Sequence, residues 1–90
     1  LTVTSLTPEL ARRYELDPNS RGVLITAIAA DGTAASANLR PGDLVVEMDG
    51  HQVESVKAFE AAIARVDKGK VLRLLIQRRE TLFYTTVRSE

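Results

Sequence analysis

The chain has no cysteine, which removes disulfides, thiolate metal sites and cysteine nucleophiles from consideration. Aromatic residues make up only 4% of it, too few for platforms on which nucleobases stack. Neither sign of charge dominates: twelve basic and twelve acidic residues leave a formal net charge of zero. No global field therefore favours DNA, RNA or acidic lipid. The apolar runs are a few residues long, far from the roughly 20 that a membrane-crossing helix needs. No signal peptide opens the chain. His51 is the only histidine, and it follows an Asp-Gly turn with no strained G-x-S-x-G context nearby. A serine–histidine–acid triad is not expected, and His51 reads as a surface turn residue. Gly32, Gly42, Gly50 and Gly69 are isolated turn glycines, so there is no phosphate loop. Asp43, Glu47 and Asp49 alternate, but nothing completes a metal-ligand set around them, and Asp43 reads as a turn cap. The pairs Arg12-Arg13 and Arg78-Arg79 read as solvated surface. The expectation is a chain that is not an enzyme by itself, with no catalytic residue, no metal and no cofactor.

What is present is enough for one compact domain over residues 1–90, with 44% hydrophobic residues. Strand-like alternation at both ends suggests a domain cut from something longer. Leu1-Thr2-Val3-Thr4-Ser5-Leu6 alternates apolar and polar residues with period two, the pattern of a half-buried strand. Thr7 then caps a short helix from Pro8 to about Tyr14, with Pro8 suited to its first position and Glu9 to its positive end. Asp17-Pro18-Asn19-Ser20 is a turn cluster. A turn at Asp31-Gly32 and one or two helical turns over 33–38 follow the next strand, with Asn38 in a left-handed end position. Leu44–Met48 is a buried strand, and Asp49-Gly50 is a tight turn into His51-Gln52-Val53. Ser55 caps the main helix, which runs to about Val66 with a stripe of Val56, Phe59, Ile63 and Val66. Ala58 and Ala62 form a shallower strip beside it. Strands Val71–Gln77 and Thr81–Val87 close the sheet around a reversal at Arg78-Arg79-Glu80. Five or six strands with two helices, not strictly alternating, make an α+β partly closed barrel or sandwich.

The stretch with most functional promise is Arg21-Gly22-Val23-Leu24-Ile25-Thr26-Ala27-Ile28. Both of its faces are apolar, which suits a strand covered on two sides. Gly22 allows a backbone conformation or an approach distance that a Cβ would block, and successive N–H groups beside it would make an anion-holding concavity. Such a loop and strand could take a peptide C-terminus by strand addition and carboxylate capture. The plainer reading is a buried strand entered through a glycine turn.

Three stretches give the chain a family likeness. Leu6-Thr7-Pro8-Glu9-Leu10-Ala11, then Ala34–Val45 followed by Asp49-Gly50, then Thr81-Leu82-Phe83 after a basic hairpin, resemble PDZ domains of Deg/HtrA (Do-like) bacterial serine proteases. The opening is most similar to their second PDZ domain. The resemblance implies a circularly permuted PDZ fold whose N-terminal strand replaces the usual C-terminal one. It maps the family's carboxylate-binding loop onto Arg21-Gly22-Val23, with Arg in place of the usual first hydrophobic residue. A ligand would then lie antiparallel to Val23–Ala27, along Val23, Leu24, Ile25 and Thr26, and against Ala58, Phe59, Ala62, Ile63 and Val66. Asn38 stands where the family usually has glycine. The implied role is a periplasmic, non-catalytic module that binds C-termini or exposed hydrophobic segments of unfolded proteins and regulates or feeds an attached protease. The implied partners are such peptides, the protease domain and neighbouring protomers, with neither nucleic acid nor membrane insertion. A module for contacts between protomers, or a PDZ domain of a membrane-embedded metalloprotease, are the alternatives.

Overall fold

Local chemistry sets the elements much where the pattern puts them. The computed structural model describes residues 2–17, 19–28, 38–67 and 69–88. Alternating Thr2–Ser5 is strand β1, and Pro8–Arg13 is helix α1. The Thr7 hydroxyl accepts the Leu10 N–H at 3.2 Å, satisfying one of the free donors of the first turn. β2 is Val23–Ala27, β3 Leu44–Met48 and β4 the two residues His51–Gln52. Ser55 caps helix α2, Val56–Ala64, by accepting the Ala58 N–H at 3.1 Å. β5, Val71–Arg78, and β6, Thr81–Arg88, form a long hairpin. Asp49 and Gly50 have φ of 49° and 83°, the paired positive values a two-residue hairpin turn requires. Asn38 is left-handed at φ 66°, as expected. The expected turn at 31–32 and most of the helical stretch over 33–38 lie outside the described residues.

All six strands belong to one antiparallel sheet in the order β1-β2-β3-β5-β6, with β4 paired to β3. The sheet stays open rather than closing into a barrel, because β1 and β6 stand at opposite edges of it. Side-chain alternation gives it two unequal apolar faces. One carries Val23, Ile25, Val45, Leu72, Leu74 and Ile76 and is covered by α2 through Phe59. The other packs Leu24 and Leu44 against Ala11 and Leu16 around α1.

Candidate functional site

A peptide that joins a sheet needs an open edge, and β2 does not have one. Its residues Ile25, Leu24 and Val23 lie opposite Val3, Thr4 and Ser5 of β1. On its other side Val23 and Leu24 face Val45 and Leu44 of β3. The Ile25 N–H donates to the Asp43 carbonyl at 2.9 Å, and the Ile25 carbonyl accepts the Gly42 N–H at 2.8 Å. The expected ligand strand along Val23–Ala27 therefore has no place along Val23–Ile25. The side chains of Val23, Leu24 and Ile25 are fully buried and belong to the core. Thr26 is also engaged, its hydroxyl donating to the Thr2 carbonyl at 3.2 Å.

Gly22 has a different task from the one expected of it. A Cβ placed there would sit 2.5 Å from the Val45 carbonyl oxygen and 2.9 Å from Leu44 Cγ. The glycine is needed because the loop presses against β3, so approach distance is the operative half of the expectation. The anion-cradle half fails on position: Gly22 is buried, and it adjoins the Ser5 end of β1 through the Ser5–Val23 pair. Arg21 is exposed and forms a loose ion pair with Glu54 at 3.5 Å. With Leu6 and Ser20 these residues border an open recess of about 220 Å³.

The open edge near the main helix belongs to β1. Because Ile25 directs both main-chain groups to the 42–43 turn, alternation directs those of Leu24 to Thr4. The main-chain groups of Val3 and Ser5 then point away from the sheet. Helix α2 runs beside β1. Val3 packs against the same core cluster as Val56, Ala62, Ile63 and Val66, all of them half-buried. Of the helix residues named from the sequence, Ala62, Ile63 and Val66 lie half-buried on this side, and two differ from them. Phe59 is 4% exposed and belongs to the core, and Ala58 is turned out to solvent. Val3 and Ser5, which sequence reasoning did not single out, supply this open edge. Two signals pointed to them: a run apolar on both faces marks an inner strand, and a short Thr/Ser-rich alternating run marks an edge.

One buried charge organises the turn that leads into β3. Asp43 is 1% exposed, and its carboxylate receives Arg78 Nε and an Arg78 terminal nitrogen, both at 2.8 Å. It also accepts the Arg40 N–H at 2.9 Å, the turn-capping role expected of it. The hydrogen bond that Arg78 donates to Asp43 raises the Arg78 pKa above its ordinary value, desolvation opposes this, and the nearby negative charge adds to the rise. Among the described residues, no group of three or more His, Cys, Asp or Glu is placed to hold a metal ion. None of the described helices is long and apolar enough to cross a membrane.

With this geometry in view, comparisons with known proteins agree on a family. Residues 9–88 match the family described as PDZ domain. Among curated proteins, the chain is 27% identical over 88 residues to a probable periplasmic DegP-like serine endoprotease of Chlamydia trachomatis, covering 98% of this chain and 18% of that protein. It is 39% identical over 70 residues to a DegP-like protein of Halomonas elongata, covering 78% of this chain and 15% of the relative. Among solved structures, an HtrA-type protease, AlgW with a decapeptide, superposes with a TM-score of 0.88 at 26% identity, over 98% of this chain and 27% of that one. The HtrA3 PDZ domain bound to a phage-derived ligand superposes with a TM-score of 0.81 at 17% identity, over 100% of this chain and 81% of that one, a likeness of fold. The chain thus spans less than a fifth of the length of these curated relatives.

Proposed function

The chain belongs to the PDZ domain family, and we propose that it is the peptide-binding module of a longer, periplasmic HtrA-type serine protease. The match to residues 9–88 leaves no room for a protease domain in these ninety residues, so this chain is a binding module without catalytic machinery. In this reading a peptide adds as a strand to the open edge of β1, antiparallel to it, with α2 as the opposite wall. Its main chain pairs with Val3 and Ser5, and its apolar side chains rest on Val3, Ile63 and Val66. Antiparallel addition sets the C-terminus of the peptide at the Thr2 end, so a terminal carboxylate is held by N–H groups at the start of β1. The attached protease domain is regulated or supplied with substrate through this contact.

Magnitudes say where the affinity comes from. Each main-chain hydrogen bond contributes about 0.5–1.5 kcal/mol net, whereas association costs at least about 4 kcal/mol. Main-chain pairing alone therefore gives weak binding, and the apolar wall of α2 must supply the rest. The observation that carries the proposal is the edge of β1 that no other described strand pairs, beside the half-buried Val56, Ile63 and Val66. The test is amide hydrogen exchange and chemical-shift mapping with an apolar peptide, free or amidated at its C-terminus. The free peptide should protect the amides of Val3 and Ser5 and bind more tightly than the amidated one. Protection confined to the Gly22 loop, or equal affinity for the two peptides, would refute strand addition with carboxylate capture.

One observation favours contacts between protomers as a second role. Leu82 and Tyr84, 60% and 62% exposed, lie on the face of the β5–β6 hairpin that α1 leaves open. Full exchange of these surroundings in the assembled parent protein would remove that reading.

A further inference from the structure

We propose that an arginine-ringed cleft at the end of α1 is a docking site for an extended acidic protein segment, separate from the β1 edge. The cleft holds about 760 Å³ and is bordered by Arg12, Arg13, Arg40, Arg78, Arg79 and Tyr14, with Glu15 and Asp43 as its only carboxylates among the described residues. Five of the twelve basic residues of a chain with zero net charge therefore converge on one concavity. They come from three separate places: the end of α1, the turn before β3 and the β5–β6 turn. The negative end of the α1 dipole accounts for Arg12 and Arg13. It does not account for Arg40, Arg78 and Arg79 gathering on the same hollow.

The two carboxylates are already engaged. Asp43 holds the Arg78 guanidinium through two bonds of 2.8 Å, which fixes that cation as part of the cleft wall. Glu15 lies 2.9 Å from Arg79 Nε. Among the described residues no ion pair engages Arg12, Arg13 or Arg40, and all three are exposed. Guanidinium groups match carboxylates with paired, planar hydrogen bonds, so three of them around one hollow suit a segment carrying two or three acidic side chains. The Tyr14 ring, against which a Cβ on Gly42 would come to 2.8 Å, adds an apolar wall that such a segment can also cover. The shape decides among anions. A flat lipid surface does not enter a concavity, and a nucleic-acid backbone needs a longer basic track than three free arginines provide.

No residue of α2 or β1 borders the cleft, so an amidated acidic peptide tests it without relying on the β1 edge. The experiment is a chemical-shift titration of the ninety-residue chain with an amidated, Asp/Glu-rich decapeptide. The same peptide with Asn/Gln replacements and inorganic tripolyphosphate serve as comparators. The acidic peptide should saturate and shift the amides of residues 12–15, 40–43 and 78–79. Affinity should fall by about tenfold or more in the Arg12→Gln/Arg13→Gln/Arg40→Gln variant, and should weaken steeply as salt rises through about 0.1–0.3 M. These side chains are exposed, so the variant should keep the wild-type spectrum elsewhere. Equal binding of the neutral peptide, shifts outside the cleft, or binding of tripolyphosphate with no response to the acidic peptide would each overturn the proposal.

Discussion

Gly22→Ala isolates the contact on which the turn into β2 depends. The added methyl would start 2.5 Å from the Val45 carbonyl oxygen and 2.9 Å from Leu44 Cγ, where an ordinary contact needs more than 3.4 Å. Val45 and Leu44 belong to β3, which is hydrogen-bonded to β2, β4 and β5, so the oxygen cannot move alone. Overpacking of this kind costs about 1–3 kcal/mol. The Gly22 φ of 152° lies at the edge of the region that side chains avoid, and residues held there cost about 1–3 kcal/mol. Alanine returns roughly 0.4–1 kcal/mol by restricting the unfolded chain. The net expectation is a loss of about 2–4 kcal/mol, a large part of the roughly 5–15 kcal/mol that holds a domain folded. Urea unfolding followed by circular dichroism should show a lower midpoint with an unchanged slope. Arg21→Ala, one residue away and exposed, should move the midpoint by less than about 1 kcal/mol. A loss below about 1 kcal/mol for Gly22→Ala would mean that the loop does not press on β3. The same variant also tests the site: its folded fraction should bind peptide as the wild type does, because Gly22 is not the carboxylate cradle.

Phe59 is the one buried residue of α2, so Phe59→Ala should cost about 3–5 kcal/mol in the same urea assay, and a cost near that of a surface substitution would refute its place in the core. Asp43→Asn should cost roughly 2–4 kcal/mol, below the range for a wholly buried pair because the Arg78 side chain is 31% exposed, and a neutral effect would show that the turn does not need this charge. The raised pKa of Arg78 sets the sign of any pH effect: its contribution is complete below the ordinary arginine range and is lost only as pH rises through the still higher folded value. Alkaline titration to pH 10 should therefore leave the Asp43–Arg78 contribution intact, as judged by the wild-type minus Asp43→Asn difference.

Much of this fold is written in short-range chemistry. Thr7 with Pro8, and Ser55 ahead of Val56, fix both helix starts through side-chain oxygens that accept N–H groups three residues on. Asp49-Gly50 fixes a hairpin because few other pairs tolerate two positive φ values in succession. The capping duty of Asp43 was legible for the same reason, since its Arg40 partner lies three residues away. Its second partner, Arg78, is thirty-five residues away and was not. The sequence pointed to β2 as a strand open to a peptide, and the structure closes that edge for a related cause. Side-chain alternation reports which faces of a strand are covered, whereas strand addition depends on the direction at right angles, along the main-chain hydrogen bonds. Val23–Ala27 has the apolar residues that a binding strand needs, but its hydrogen-bonding groups along Val23–Ile25 are already committed to β1 and to the start of β3. Ala62, Ile63 and Val66 do fall on the core-facing side of α2, because a helix face is defined by its side chains alone.

The two margins of the sheet are unequal, β1 with four residues and β6 with eight. Of these two margins, fraying therefore favours β1, which the shorter ladder holds to its neighbour. A guest strand laid along that margin would turn the loosest strand into an interior one, held from both sides. Occupancy would then be felt as a quieting of motion over Thr2–Ser5 and the chain attached to it, so that whatever adjoins this end receives the signal as stiffness rather than as displacement.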